Sequence, residues 1–572
     1  MTFFDSRRLT GPNLLLDGPG AILEIHLKDP EREVALAAWR RAARRMLDAV
    51  GWSGERLAIR TFAGGASLAL SAPADALYAA TELNEWAWAA ALAEIQNRPR
   101  PEFAAARERL RAAIQEESRP ALLALRNAAR ARGLTFLSDE DGVSVGAGTG
   151  ALVWPLDRLP EPALVDWSRA HEIPTALVTG SNGKTTVVRL LAAMVAETGR
   201  LTGATSTDAV TVGGASIAEG DYSGPEGARM LLRRPEVEAA ILETARGGLL
   251  RRGLTVERAG VAVVTNIADD HLGEFGIQDL DALAETKLLV ARAVGPSGAV
   301  VLNADDPVLA GPAASLRAPV LWFSLEPDRA GLAEHLRTGG TAAICTEDDL
   351  VLARGSSRCV VAALAEVPMA LAGVARHNVA NALAAIAAAE VLKVPVEAMG
   401  RVLRRFGESA EDNPGRANVT HVGDVLVIVD FAHNPHGMAA LVRTATGFPA
   451  RRRLLLLGQA GDRSDADLRA LVRAAAVFRP DRIVLKEMEH YLRGRKPGEI
   501  SAILAEEFAR CGYPPETVVR APSEVEGVRE AFRWARAGDL LLLTVHEDRK
   551  MITELLERLR ADGWRAGDPV PG

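Results

Sequence analysis

The segment Thr179-Gly180-Ser181-Asn182-Gly183-Lys184-Thr185-Thr186 stands between a strand-like apolar run, 176–178, and a helical run, 187–197. Glycines let backbone N–H groups approach phosphate oxygens, and the N-terminus of a helix attracts an anion. Lys184 can reach the β- and γ-phosphates of a nucleotide, and the Thr185 hydroxyl can bind Mg²⁺. The general P-loop spacing requires a glycine where this chain has Val178. The segment predicts an α/β fold with a phosphate site, and the alternative is a glycine-rich turn without a ligand.

The bulk properties of the chain argue against several classes of protein. A length of 572 residues is too great for one core, so several domains are expected. The net charge of −7, without a long basic run, argues against nucleic acid as the main partner. No secretory signal and no membrane-spanning run is evident. The three cysteines lack the spacing of a metal site, and we expect a cytoplasmic protein.

The N-terminal part predicts a small α+β unit followed by a connector. Strand-like runs cover 20–27, 56–61 and 67–70, and amphipathic runs predict helices over 32–50 and 74–96. We assign residues 1–100 to this unit. A charged helix over 102–132 and a hairpin, 134–137 with 143–145, make up a connector of residues 101–170, in which no separate domain is predicted.

The remaining sequence alternates apolar strand-like runs with helical runs. The first series has strands at 176–178, 238–242, 261–265 and 300–302, and the second has strands at 425–429, 453–457, 482–485 and 540–544. Such runs are typical of parallel strands that are buried on both faces. They predict two α/β domains in series, residues 171–410 and 411–572, with a boundary near Pro414-Gly415.

Three polar side chains of the first series are candidates for chemistry. Glu243 closes an apolar strand, where a carboxylate points into the ligand crevice of an open α/β sheet. It could hold a metal ion, although a capping carboxylate is the simpler interpretation. His271 follows another strand and could bind Mg²⁺ or orient a carboxylate, or it could be structural. Lys287 lies on a predicted helix, 280–294, where a solvated lysine is the default expectation.

Taken together, the motifs resemble those of Mur ligases, from about residue 174 to the C-terminus. Mur ligases use the shorter G-x-x-G-K-T form of the phosphate loop. The matching motifs follow the family's order: 180–186, Glu243, Asn266 with Asp270-His271-Leu272, Lys287, 303–307, 377–385, 414–416, 430–435 and 461–463.

Within that family the sequence is most similar to the Mur-like part of cyanophycin synthetases. The similarity is strongest in two blocks, 242–251 with Gly224-Pro225 and 486–499, and weaker in Leu9-Thr10-Gly11-Pro12-Asn13. Cyanophycin synthetases carry an ATP-grasp domain between these parts, for which the roughly seventy residues present here are too few. We therefore expect that this chain does not make cyanophycin alone.

The resemblance implies a P-loop central domain, a Rossmann-like C-terminal domain, and ATP and Mg²⁺ as cofactors. Lys184 and Thr185 would bind phosphate and Mg²⁺ within the loop of Gly180, Ser181, Asn182, Gly183 and Thr186. Glu243 and His271 would hold Mg²⁺, and Lys287 matches a lysine that is carbamylated in many Mur ligases. Asn381 would contact adenine, Arg416 and Asp430 would engage ATP, and Asp462 and Arg463 would lie near the amine.

The resemblance implies an ADP-forming ligase that joins a carboxylate to an amine through an acyl phosphate. Arg493 and Arg495 lie in a glycine-containing loop and Arg246 flanks Gly247-Gly248, which suits bidentate binding of a carboxylate, although a solvated basic loop is an equal alternative for Arg493 and Arg495. The resemblance implies an acidic acyl substrate. We expect small-molecule or peptide substrates and a homo-oligomer. Two other functions stay open: a nucleotide-binding structural or regulatory protein that has lost ligation, and a generic P-loop kinase, which leaves 430–435 and 461–463 unexplained.

Overall fold

A computed structural model of the chain describes residues 3–27, 31–270 and 272–571. Its N-terminal unit is an antiparallel sheet in the order β1-β2-β4-β3, packed on two long helices. The elements are β1 Phe3–Leu9, β2 Gly20–His26, α1 Arg32–Val50, β3 Leu57–Phe62, β4 Gly65–Ser71 and α2 Leu77–Ile95. Leu23, Leu68 and the indole of Trp39 meet in the core between the sheet and the helices. The predicted α+β unit is therefore present, with an additional first strand.

The connector differs from the prediction in two respects. Its elements are α3 Phe103–Glu117, α4 Pro120–Ala131, β5 Phe136–Ser138, β6 Val143–Val145 and β7 Leu152–Trp154. The single helix expected over 102–132 is wrong, because Pro120 begins a second helix and removes the N–H that would continue the first. The predicted hairpin gains β7 as a third strand, and Leu125 and Val143 belong to a small core of its own.

The central part is built on an eleven-stranded sheet in the order β11-β10-β9-β12-β8-β13-β14-β15-β16-β17-β18. Its elements are β8 Thr175–Thr179, α5 Lys184–Ala196, β9 Thr202–Thr205, β10 Ala209–Val212, β11 Ala215–Glu219, α6 Pro225–Leu232, β12 Ala239–Glu243, α7 Arg246–Arg252, β13 Ala259–Val264, α8 Leu280–Lys287, β14 Val294–Asn303, α9 Pro307–Ala313, β15 Val320–Ser324, α10 Ala330–Arg337, β16 Thr341–Cys345, β17 Asp349–Arg354, β18 Ser357–Ala363, α11 Arg376–Val391 and α12 Val396–Leu403.

The middle strands of this sheet are parallel and buried on both faces, as their continuous apolar runs predict. Val178 and Val263 face α5 and α11, whereas Leu177 and Val264 face α6, α7 and α8. From β8 the chain crosses to β9 on one side of the sheet and later adds β13 on the other. The strand order thus reverses at β8, and ligands of open α/β sheets bind at such a point.

Helix α8 is shorter than predicted. It ends at Lys287 and is followed by a 3₁₀ segment, Leu288–Ala293, instead of continuing to residue 294. Lys287 consequently lies in the last turn of the helix.

The C-terminal part has a six-stranded sheet in the order β19-β20-β24-β21-β22-β23, parallel except for β19. Its elements are β19 Asn418–Val422, β20 Val425–Asp430, α13 Pro435–Thr446, β21 Arg453–Leu457, α14 Asp465–Ala476, β22 Arg482–Lys486, α15 Glu499–Arg510, β23 Val518–Ala521, α16 Glu524–Trp534, β24 Leu540–Thr544 and α17 Arg549–Ala561. Helices cover both faces of the sheet. The predicted fold class, two α/β parts after a small α+β unit, is confirmed. Among the described residues, no helix is both long and apolar enough to cross a bilayer.

A buried charge cluster joins the N-terminal unit to the central part. The Arg7 guanidinium donates to a Glu24 carboxylate oxygen at 2.9 Å and, across the interface, to the Leu250 carbonyl at 3.0 Å. The Ser67 hydroxyl donates to the other Glu24 oxygen at 2.7 Å. Both charged side chains, Arg7 and Glu24, are buried. Each therefore depends on its partner to offset the free energy of hydration that it loses.

Replacing Arg7 by leucine is expected to lower the free energy of unfolding by about 3 kcal/mol, because the Glu24 carboxylate then stays buried without its counter-charge. Urea unfolding followed by circular dichroism measures this loss. The double variant Arg7→Leu/Glu24→Leu should recover much of it, since no buried charge remains. A single variant that unfolds at the same urea concentration as the parent would contradict the prediction.

Candidate active site

The phosphate loop connects β8 to α5 at the point where the strand order reverses. Gly180 and Gly183 have φ angles of +144° and +84°, which disfavour side chains. Space is also lacking, because a Cβ on Gly183 would lie 2.2 Å from the Asn381 amide oxygen. The Lys184 ammonium folds back over the loop and donates to the carbonyls of Gly180 and Ser181, at 3.1 and 3.2 Å. The loop thus presents a cation and a helix N-terminus at one place.

Hydrogen bonds to the segment after β13 hold the loop in this shape. The Asn266 amide oxygen accepts from the Asn182 N–H at 3.0 Å, and the Thr265 hydroxyl donates to the Asn182 carbonyl at 2.6 Å. The Ser181 hydroxyl donates to the Ala268 carbonyl at 2.8 Å. Polar residues that follow β13 therefore bind backbone groups of the phosphate loop, which follows the neighbouring strand β8.

Glu243 and Thr185, two of the predicted metal-site residues, are in contact. The Thr185 hydroxyl donates to the Glu243 carboxylate at 2.9 Å, and the Thr207 hydroxyl donates to its other oxygen at 2.8 Å. Hydroxyl and carboxylate oxygens are the hard donors that Mg²⁺ prefers, so this pair fits the predicted ion. His271, the third predicted ligand, lies outside the described residues. Among the residues that are described, no group of three or more acidic, histidine or cysteine side chains is placed to hold a metal.

Lys287 is buried, with only 3% of its surface exposed, which makes the expectation of a solvated lysine wrong. Burial lowers its pKa well below the usual value; Lys184 and Arg246 lower it further, and Asp270 opposes them. A larger fraction of Lys287 is therefore the neutral, nucleophilic amine at neutral pH than for an exposed lysine. Lys184 and Arg246, two of the predicted site residues, are among the charged neighbours of Lys287.

The C-terminal part contacts the phosphate loop directly. The Asn434 amide donates to the Asn182 side-chain oxygen at 3.0 Å, and the Asn413 amide donates to the Thr186 hydroxyl at 3.1 Å. Arg463 donates to the Asp270 carboxylate at 2.8 Å. These contacts bring the predicted motifs of the two α/β parts to one cleft.

Both parts also match known sequences at these positions. The family model of the Mur ligase middle domain matches residues 178–389, and that of the Mur ligase glutamate ligase domain matches residues 415–544. The chain belongs to the Mur ligase family. Among its relatives, cyanophycin synthetase from a Synechocystis species is 42% identical over 333 residues, which are 58% of this chain and 38% of the relative.

A second relative confirms how far the similarity extends. The UDP-N-acetylmuramoyl-L-alanyl-D-glutamate--2,6-diaminopimelate ligase of Geobacter metallireducens is 28% identical over 404 residues, covering 66% of this chain and 75% of the relative. E. coli FolC in complex with ADP has a similar fold, with a TM-score of 0.50, 20% identity, and coverage of 68% of this chain and 90% of FolC. The chain spans about two fifths of the length of the cyanophycin synthetases that it matches, 38% and 41% in two cases.

The remaining residues implied by the Mur ligase resemblance occupy three environments. Asn381 is buried against Gly183 of the phosphate loop and donates to the Asn378 side chain at 3.3 Å. Arg416 stacks 4.5 Å from the centre of the Phe431 ring. Asp430 closes β20 and accepts the Ala417 N–H at 2.7 Å. Their roles toward a nucleotide stay predictions, although all three lie on elements that meet at the loop.

The arginines predicted to bind substrate are held in ion pairs. Arg493 contacts Asp462, Arg246 contacts Glu274, and Arg495 contacts Asp465 at 2.8 Å and Glu499 at 2.9 Å. Arg495 also donates to the carbonyls of Gly461 and Arg463, at 3.1 and 2.7 Å. This geometry explains Arg495 as a clamp on the 461–465 loop, so its part in binding substrate stays a prediction.

Asp208 is a residue of this site that the sequence reasoning missed. Three arginines converge on its carboxylate: Arg549 at 2.5 Å, Arg189 at 3.0 Å and Arg416 at 3.9 Å. They come from α17, from α5 and from the loop before β19. Asp208 follows β9, a strand of four residues with a glycine that gives no clear apolar pattern. Burial opposes ionisation of Asp208, but the three guanidinium groups lower its pKa overall.

A buried network lies beneath the cleft in the C-terminal part. The Lys486 ammonium contacts the Glu524 carboxylate and donates to the Thr544 carbonyl at 2.5 Å. Glu524 accepts the N–H groups of residues 546, 547 and 548 at 2.8, 2.9 and 2.7 Å. The His546 ring, whose pKa burial and Lys486 lower well below the usual value, is neutral and donates to the Ala432 carbonyl at 3.2 Å. The network fixes two loops, 430–435 and 545–548, that border the cleft.

Asp430→Asn is expected to change how stability depends on pH. Desolvation raises the pKa of Asp430 to about 6 against the attraction of Arg416, from a usual value of 3.8. The folded protein therefore binds a proton more tightly than the unfolded chain, and the ionised carboxylate costs stability as pH rises from about 4 to 6. Between pH 4 and pH 7 the free energy of unfolding of the variant should rise by roughly 2 kcal/mol relative to that of the parent. This figure is lowered because the Asp430 side chain is partly exposed to solvent.

Urea unfolding of both proteins at several pH values measures this difference. Asp424→Asn, at an exposed turn of the same sheet, is a matched control that should show no such trend. A constant difference between the Asp430 variant and the parent from pH 4 to pH 7 would sink the assignment.

Proposed function

We propose that this member of the Mur ligase family joins a carboxylate to an amine, forming an amide bond while ATP is converted to ADP and phosphate. The observation that carries the proposal is the meeting of the phosphate loop, the Thr185–Glu243 pair and the C-terminal loops at one cleft. A kinase would need the phosphate loop and the Thr185–Glu243 pair. It would not need a C-terminal part whose Asn434 and Arg463 contact the loop and Asp270. The names of the relatives support ligation as the class of reaction.

In the first step, the substrate carboxylate attacks the γ-phosphate of ATP and forms an acyl phosphate. Lys184 lies over the loop, where its ammonium offsets the negative charge that collects on the transferred phosphoryl group. The glycines at 180 and 183 let backbone N–H groups approach the phosphates. A Mg²⁺ ion held by Thr185 and Glu243 would supply further positive charge to the phosphates.

In the second step, an amine attacks the acyl carbon and displaces phosphate. His433 borders the cleft with Asp270 and Arg463, and burial lowers its pKa to about 4. The imidazole at this place is therefore neutral at pH 7, and its free ring nitrogen can accept a hydrogen bond from the incoming amine. The contacts of Asn434 and Asn413 with the phosphate loop close the cleft over the reacting groups, which limits hydrolysis of the acyl phosphate.

The direct test is a screen for ADP release with pairs of carboxylates and amines, beginning with aspartyl and glutamyl peptides and with amino acids. Release that requires both substrates, with an amide product seen by mass spectrometry, supports the proposal. Nucleotide binding without such turnover would indicate a structural or regulatory protein, and phosphate transfer to a hydroxyl would indicate a kinase.

Lys184→Ala is expected to reduce the rate of ADP release by about a hundredfold or more, the effect of losing roughly 3 kcal/mol of transition-state stabilisation. The fold should be preserved, because the half-buried lysine side chain contributes only two hydrogen bonds to carbonyls of the loop and packs into no apolar core. Lys393→Ala, on an exposed turn after α11, removes the same charge elsewhere and should leave the rate unchanged. Release by Lys184→Ala near the parent rate would refute the phosphate-site assignment.

Lys287 is expected to be carbamylated. Carbon dioxide reacts with neutral amines, and burial of Lys287 favours the neutral form. After incubation with ¹³C-bicarbonate, the parent should show a carbamate resonance by NMR that Lys287→Ala lacks. The variant should lose activity and regain part of it with acetate or formate. An active Lys287→Ala enzyme, together with no carbamate signal in the parent, would show that the lysine is only structural.

A further inference from the structure

The Asp208 carboxylate lies where the central and C-terminal parts meet, directly after a residue that contacts the predicted metal site. Thr207 donates its hydroxyl to Glu243 at 2.8 Å and its N–H to the same carboxylate at 3.3 Å. The Ser206 hydroxyl accepts the N–H of Asp208 at 3.2 Å, which fixes the turn. Only 10% of the Asp208 side chain is exposed, because it contacts the C-terminal part while Thr207 contacts Glu243. A displacement of one of these two neighbours is therefore passed to the other.

Three guanidinium groups depend on Asp208 for their counter-charge. Within the described ranges it is the one carboxylate at ion-pair distance from Arg189, Arg416 and Arg549. Burial lowers the pKa of both Arg189 and Arg416, and the charge of Asp208 opposes this most strongly. Without the carboxylate, three like charges would stay together in a largely buried site and repel one another. The positions of the three arginine side chains thus depend on Asp208.

Two of the three arginines come from the C-terminal part, where an aromatic ring fixes their planes. Arg416 lies 4.5 Å and Arg549 5.3 Å from the centre of the Phe431 ring. The ring packs edge-on against the His546 imidazole, with 4.9 Å between the centres, and that imidazole belongs to the buried network beneath the cleft. Stacking limits the rotation of a guanidinium, so both groups are ordered before they reach the central part. Across the interface, Asp208 is the carboxylate that receives them.

We propose that Asp208 is a positioning residue of the ligase. Its carboxylate holds Arg416 and Arg549 of the C-terminal part beside the phosphate loop, and its place in the chain keeps the neighbouring threonine against Glu243. The inference rests on the ligase function proposed above and adds a condition to it, because phosphoryl transfer then requires the C-terminal part to be docked. Docking brings two positive charges to the place where negative charge collects in the first step. Binding of the nucleotide itself, by the phosphate loop, does not need Asp208.

The chain offers a matched control in Asp139. Like Asp208, this carboxylate joins two parts of the chain through arginines, since Arg233 contacts it at 2.8 Å and Arg229 at 3.9 Å. It differs in its place, because Arg233 follows α6 and lies where β12 begins, whereas Glu243 lies where β12 ends. Asp139→Asn therefore removes a comparable ion pair at the opposite end of the sheet.

Hydrogen exchange of the full chain with the ATP analogue AMPPNP and MgCl₂ tests the docking without a substrate. Asp208→Asn keeps the shape and removes the charge, so amides of 204–212 and 546–556 should exchange at least about fivefold faster than in the parent. Asp139→Asn should leave both segments unchanged. The dissociation constant of AMPPNP, from calorimetric titration, should stay within about threefold of that of the parent in both variants. Unchanged exchange in Asp208→Asn, or loss of AMPPNP binding, would overturn the proposal.

Turnover with a substrate pair from the ADP-release screen tests the consequence for catalysis. Asp208→Asn should lower kcat by about thirtyfold, and Asp208→Glu should recover part of the loss because it restores the charge. Arg549→Met should show a similar loss, and Asp208→Asn/Arg549→Met little more than either change alone, since the two residues act as one unit. Arg549 is 27% exposed, so its variant tests the same ion pair if Asp208→Asn does not fold. A kcat that is the same in folded Asp208→Asn and Asp139→Asn would show that Asp208 is only structural.

The two experiments separate this proposal from the ligase function on which it rests. If the docking is correct and ligation is not, exchange rises in Asp208→Asn but no pair of substrates releases ADP. If ligation is correct and the role of Asp208 is not, ADP release is unchanged in Asp208→Asn, whereas Lys184→Ala still loses it.

Discussion

The hydrogen bonds between the phosphate loop and the segment after β13 are the constraint on which the site depends. Asn266 accepts the N–H groups of Ser181 and Asn182 through its backbone and side-chain oxygens, and the Thr265 hydroxyl donates to the Asn182 carbonyl. The Ala268 carbonyl accepts the Ser181 hydroxyl. Because β8 lies between β12 and β13, the same position brings Glu243 from one side and Asp270 from the other. The order of the strands, rather than any single residue, assembles the site.

The C-terminal part completes this arrangement through polar contacts at the loop. Asn413 and Asn434 bind the loop by their amide groups, and Arg463 reaches Asp270. The Asp208 carboxylate forms ion pairs with Arg189 of the central part and with Arg549 of the C-terminal part.

Sequence reasoning predicted the features that have a strong local signal. The apolar runs around Ile241 and Val263 correctly indicated central strands, and the glycine-lysine segment indicated the loop. Short strands with small or polar residues, such as β9 and β11, were missed, and with them Asp208. Pro120 carries a sequence signal for the break between α3 and α4, because proline lacks the N–H that a continuous helix needs. Burial of Lys287 could not be predicted, because the helix that carries it shows no local sign of what packs against its last turn.

The buried Lys486–Glu524–His546 network has a consequence for the entropy of ligand binding. Residues 546–548 are tied to Glu524 and Ala432 is tied to His546, so the loops that border the cleft are ordered in the folded C-terminal part itself. Loops that become ordered only around a ligand reduce its affinity by their lost conformational freedom, whereas preformed loops do not. Any closure of this part over the phosphate loop would therefore be a rotation of one rigid body, with Arg549 carried on a helix that starts directly after the fixed turn.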